Sequence, residues 1–95
     1  MLGYWIVTAS EIVDSEAFDE YRKHWGAIAK KYNARMLAAQ NRHENKEGAP
    51  ADRVTLVEFP SYDDAIAAYN DPDYQKAVPF VHKAGTRNLQ IVEGM

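Results

Sequence analysis

The chain has 95 residues, a net charge of −3 and no cysteine. That length makes one domain. The acidic balance argues against nucleic acid or an anionic membrane as partner, since both reward a basic face, and the missing cysteines exclude disulfides, thiolate metal sites and thiol nucleophiles.

A chain this short buries only about two-thirds of its unfolded surface, so a partner subunit would add stability. "MLGYWIVTAS" carries no basic leader, and no run nears the roughly 20 apolar residues of a membrane helix. A cytoplasmic protein without nucleic-acid or membrane partners is expected.

"GYWIVTASEI" (3–12) is rich in β-branched and aromatic residues and reads as a strand. "DSEAFDEYRKHWGAIAKKYN" (14–33) repeats Phe18, Tyr21, Trp25, Ile28, Ala29 and Tyr32 at helical spacing. Asp14 or Ser15 is its N-cap and Asn33 suits a left-handed C-terminal position. "ARMLAAQ" (34–40) is a second strand, and "NRHENKEGAPAD" (41–52) a loop. "RVTLVEF" (53–59) is the clearest strand, ended by Pro60. Ser61 then caps a helix with Asp64 three residues on, and Tyr62, Ala65, Ile66 and Tyr69 form its apolar face. Asp71-Pro72 restarts a helix, Pro79 should kink or end it, and Gly85 precedes a last strand, "RNLQIVEG" (87–94).

The order β-α-β-β-α-β is that of an α+β ferredoxin-like unit, with the first and third strands central in a four-stranded antiparallel sheet and both helices on one face. Neither parity of the first strand is polar: Tyr4, Ile6 and Thr8 alternate with Trp5, Val7 and Ala9. Two helices cover one face, so the other is left apolar. A second copy packed sheet to sheet would cover it. The parity that faces the partner is not fixed by the sequence, so Val7 and Leu56 are both candidate interface positions.

"GYWIV", "FDEYRK", "VEFPSYDDAIAAYNDPDYQKA" and "IVEG" resemble, over almost the whole chain, a family of short bacterial proteins known as domain-of-unknown-function family thirteen-thirty. The resemblance implies a dimeric α+β barrel, in a superfamily that includes cofactor-free monooxygenases, lactone isomerases and stress-response dimers. It implies no catalytic residue. The Arg-Gly-Gly usual after the second strand is replaced by Ala39, Gln40 and Asn41. An arginine common after the Tyr-Gln helix is replaced by Val81, followed by His82 and Lys83.

The candidate ligand-binding residues are Tyr21, His24, Trp25, Tyr69 and His82. Trp25 and Tyr69 would supply aromatic walls, Tyr21 a hydrogen bond, and a histidine proton handling. The bland readings compete: aromatics at helical spacing are usually core, His24 flanks the apolar stripe, and His82 suits a helix C-terminus. His43 with Glu44 and Glu47 lacks a metal-binding spacing, so no metal is expected, and no cofactor motif occurs. Glu58 and Glu93 should flank Tyr4, too far apart to share a proton. The residues thus suggest a homodimer binding a compact, partly apolar metabolite between helices and sheet, with cofactor-free oxidation or isomerisation by analogy of fold. The alternative is a non-catalytic structural or interaction dimer.

Overall fold

The computed structural model describes residues 1–39 and 42–95. Its elements run β1 (Gly3–Ala9), α1 (Ser15–Lys31), β2 (Arg35–Ala39), β3 (Arg53–Phe59), α2 (Tyr62–Asn70), α3 (Pro72–Gln75), α4 (Val78–Ala84) and β4 (Arg87–Glu93). The strands form one antiparallel sheet in the order β2-β3-β1-β4, with β1 and β3 central. This is the ferredoxin-like α+β arrangement expected from the order of periods.

The helix ends follow local chemistry. The Asp14 carboxylate accepts the Ala17 N–H at 3.0 Å and the Ser61 hydroxyl accepts the Asp64 N–H at 3.0 Å, each satisfying a donor that the first helical turn leaves free. Asn33 takes the left-handed conformation, φ 53°, just past α1. Gly3 is required by close approach. A Cβ there would lie 2.6 Å from the Ser61 carbonyl oxygen and 2.6 Å from Tyr62 Cα, where α2 begins.

Strand parity is now settled. Gly3, Trp5, Val7 and Ala9 are buried under the helices. In register with them stand Phe59, Val57, Thr55 and Arg53 of β3, and Ile91, Leu89 and Arg87 of β4. Tyr4, Ile6, Thr8, Val54, Leu56 and Val92 take the opposite, helix-free face, together with the polar Glu58, Asn88 and Gln90. Leu56 is therefore an open-face residue and Val7 is not. Glu93 pairs with Gly3, whereas Val92 pairs with Tyr4. The two strand-end carboxylates thus belong to opposite faces and do not flank Tyr4 together.

Two helical details differ from expectation. On α2 the fully buried positions are Ala65 and Ala68, with Tyr62, Ile66 and Tyr69 half-buried on the flanks. Two alanines bring the helix close to β1, close enough for the Trp5 indole to donate to the Ala65 carbonyl at 2.9 Å. The piece begun at Pro72 does stop, at Gln75, and a separate helix starts at Val78, but Pro79 follows the break rather than standing at the end of a helix. It lies in the first turn of α4, where its missing N–H leaves no hydrogen bond unmade.

The core is aromatic and centres on Trp5. Its ring lies 5.3 Å from Trp25, 5.0 Å from Phe59 and 5.1 Å from Tyr74, spacings at which offset and edge-on aromatic contacts are favourable.

Candidate functional site

α2 rests on β1, β3 and β4, while α1 packs chiefly on α3 and α4. Beneath α1, above the inward faces of β1, β2 and β3, lies a cavity of about 350 Å³. That volume falls in the range of small-molecule sites.

The floor is built from rungs of the sheet. At one end Ala9 pairs with Arg53 on one side and Arg87 on the other. The next inward rung is Val7 with Thr55, and the next Trp5 with Val57. Met36 and Ala39 of β2 extend the wall, and Val81 of α4 contributes from above. Phe18, Tyr21, Arg22 and Trp25 of α1 form the roof. Alternate residues on a strand are about 7 Å apart. The cavity thus runs roughly 13 Å from a cationic rung to an aromatic one, four residues along β1.

A hydroxyl pair joins the roof to the cationic rung. The Tyr21 and Tyr74 hydroxyls lie 2.8 Å apart. Arg87 donates to both, at 3.3 Å to Tyr21 and 2.9 Å to Tyr74. Tyr74 is fully buried, whereas Tyr21 lines the cavity. Burial, with the neighbouring Tyr21, pushes the Tyr74 hydroxyl well above its usual range, so it stays a neutral phenol. Only one proton can lie between the two oxygens. If Tyr21 donated it, the Tyr74 proton would be stranded in the core. Donation from Tyr74 satisfies both groups and leaves the Tyr21 proton for the cavity.

Both strand-borne arginines are half-buried. The Arg53 Nε–H donates to the Ser10 carbonyl at 2.8 Å. Its guanidinium lies 5.1 Å from the Phe18 ring centroid, and that of Arg87 lies 5.4 Å from the Tyr21 centroid. Those two rings are neighbours on α1, stacked 6.1 Å apart. Burial lowers the Arg53 pKa, and the charge of Arg87 adds to that; attraction from Asp52 is the weakest influence on it. Burial opposes the Arg87 charge too, but the tyrosine oxygens outweigh it and hold the group above its ordinary value. Both remain cations, as arginine does throughout the working range.

Of the five residues named from the sequence, the structure brings Tyr21 and Trp25 to the cavity. Tyr69 packs edge-on against Trp5, 5.9 Å away, outside the cavity lining. His24 stacks on Phe80 at 6.0 Å, with Nε2 3.9 Å from Glu20. His82 is solvent-exposed on α4. Neither imidazole lines the cavity. Val81, where the resemblance expected arginine, is buried and does line it. Gln40 and Asn41, the other departures, lie outside the described residues.

Arg53 and Arg87 are not singled out by the sequence, because an arginine opening a strand belongs to no motif and nothing local shows that two of them meet across β1. The signal was present: each opens a strand, with the same parity as Val57 and Ile91.

The sheet order, helix placement and cavity define a ferredoxin-like α+β protein with a ligand-sized space under its first helix. The chain belongs to the family described as Domain of unknown function (DUF1330), whose model matches residues 2–95. No curated protein matches the chain. Solved structures share the fold. A protein of unknown function from Rhodopseudomonas palustris is 15% identical, with TM-score 0.69 over 99% of this chain and 82% of that one. A dimeric ferredoxin-like protein of unknown function from Jannaschia sp. is 15% identical, with TM-score 0.66 over 99% and 100%. SnoaB, a cofactor-independent oxygenase from Streptomyces nogalater, is 10% identical, with TM-score 0.64 over 98% and 91%.

Proposed function

We propose that the protein is a homodimer whose cavity beneath α1 binds a compact, partly apolar metabolite. The observation that carries this reading is the cavity itself: about 350 Å³, with tryptophan and aliphatic walls and a few convergent polar groups at one end. Tyr21 and Trp25 are its ligand-binding residues among those named from the sequence. His24, Tyr69 and His82 act at most from outside the lining.

The second copy covers the open sheet face. Ile6 is 38% exposed there and Val92 42%, beside Leu56 and Val54. Glu58, Gln90 and Asn88 share the face, so the apolar patch is centred on β1 and β3; an exposed patch of this kind, rimmed by polar residues, is characteristic of interfaces. The Jannaschia neighbour is described as dimeric, and a two-fold axis lets one face bury itself against its own copy. Among the described residues no helix is long and apolar enough to cross a membrane.

A second reading adds cofactor-free oxidation or isomerisation of the bound metabolite. It is supported by the fold shared with the Streptomyces nogalater oxygenase, a likeness that assigns no residue a role. The structural-dimer alternative differs in one respect: the space under α1 would then hold no ligand.

A thermal-shift screen of small aromatic and alicyclic acids, with their neutral analogues, tests the binding reading. Binding at about 100 times Kd should add roughly 2.7 kcal/mol of stability. A panel in which no compound moves the melting temperature would leave the structural dimer as the better account.

A further inference from the structure

The cationic rung says what kind of metabolite the cavity takes. We propose that the ligand carries a carboxylate, held between Arg53 and Arg87 with the Tyr21 hydroxyl donating to it, and an apolar body lying along Val7, Val57 and the two tryptophans. This deepens the binding reading and rests on it.

The geometry behind it is a convergence. Arg53 and Arg87 pair with Ala9 from opposite sides, about 10 Å apart at the backbone. Ala9 is too small to fill the space between them. Both guanidiniums lie over the adjacent Phe18 and Tyr21 rings of α1, so two cations face one end of one cavity. Neither forms an ion pair among the described residues. This occurs in a chain with net charge −3, where carboxylates are plentiful.

Two half-buried like charges repel and are costly without a counter-charge. A bound anion supplies that counter-charge. The unused donors point to the same class. A guanidinium has five N–H donors. Arg87 uses two on the tyrosine hydroxyls and Arg53 uses one on Ser10. Planar forks with free N–H groups match the edge of a carboxylate. Beyond that rung the lining is mostly apolar and aromatic, with Thr55 and Arg22 its other polar residues, so the remainder of the ligand is largely hydrocarbon-like.

The test is calorimetric titration of the full chain with matched pairs: benzoate and benzamide, phenylacetate and phenylacetamide, cyclohexanecarboxylate and its amide. At least one acid should bind about tenfold or more tightly than its amide, and its affinity should fall as salt rises. In Arg53→Met the preference should shrink toward one. Arg87→Met should do the same, with Arg87→Lys as the milder variant if loss of the tyrosine contacts unfolds it. Circular dichroism verifies folding in each case. Amides that bind as well as acids would overturn the carboxylate and leave the cavity reading standing. Phenyl phosphate bound in preference to every acid would also overturn the carboxylate. An acid preference unchanged in both arginine variants would overturn the assigned residues. If no acid or amide binds the wild-type chain, the cavity reading falls, and this inference with it.

Discussion

Asp71 is 6% exposed, and its carboxylate is saturated with donors. Lys31 and Tyr32 of the α1 terminus each approach Oδ2 at 2.7 Å, and the Asp73 N–H reaches Oδ1 at 2.8 Å. The Lys31 hydrogen bond, then that of Tyr32, draws the Asp71 pKa from its ordinary 3.8 down to about 2. A depressed folded pKa gives stability that is complete above the ordinary value and lost as pH falls through the depressed one. Acid denaturation of the wild type should therefore steepen between about pH 4 and 2. Asp71→Asn keeps the cap but removes the charge, so its melting temperature should be lower at pH 7 and flatter across that window. An unchanged acid limb in the variant would show that the contact contributes nothing.

The hydroxyl pair gives a second prediction at this scale. If Tyr74 donates to Tyr21, Tyr21→Phe strands a buried proton and should cost about 1–3 kcal/mol in urea unfolding. Tyr74→Phe removes that donor and also the nearer Arg87 acceptor, a charge-assisted bond, so it should cost about 1.5–3 kcal/mol. A neutral result for both variants would show that the hydroxyl pair and its Arg87 contacts contribute nothing to stability. Tyr21 was legible from its helical spacing as a hydrogen-bonding residue. Its partner Tyr74 was legible only as the start of another stripe, because nothing local shows that two residues 53 positions apart meet.

Elements were the easiest part to read. Asp14, Ser61 and Asp71-Pro72 mark helix starts through short-range hydrogen bonds, and short-range chemistry is what a sequence displays directly. The apolar face of α2 was less legible. Tyr62, Ile66 and Tyr69 carry the larger apolar surface, but contact distance to β1 favours the alanines, and Ala65 and Ala68 take the centre. That close approach depends on Gly3 at the strand start. Gly3→Ala would press a methyl group against the backbone at Ser61 and Tyr62. Overpacking of this kind typically costs about 1–3 kcal/mol, so the variant should unfold at visibly lower urea concentration. A neutral substitution would mean that the α2 terminus yields easily. The β2 edge shows a different limit. Its register with β3 shifts between Met36 and Ala38, and a bulge of this kind leaves no mark in an alanine-rich run.

At the scale of the whole molecule, two properties rest on sheet parity. The sequence showed apolar residues on both faces of β1, which is why a second copy was expected, but not which face the helices take. Packing decides that: Trp5 and Phe59 fit beneath the helices, leaving Ile6, Leu56 and Val92 outside. Leu56→Glu should therefore yield a folded monomer near 10.8 kDa by light scattering, from a wild type of about twice that mass. Val7→Glu places its charge in the core and should unfold the chain instead. A wild-type protein that stays at single-chain mass at micromolar concentration would contradict the dimer.

The cavity is the other property, and it formed from parts that the sequence scatters: a helix that leans on other helices, a small residue at position 9, and arginines opening two strands. The chain has two tryptophans, and both line the cavity. Tryptophan emission during titration with benzoate, phenylacetate or cyclohexanecarboxylate therefore reads the proposed site directly. The expected result is a saturable, one-site change for at least one acid, weakened in Ala39→Phe, where the added ring takes up part of the space. No saturable change in the wild type, or equal binding in the variant, would contradict it.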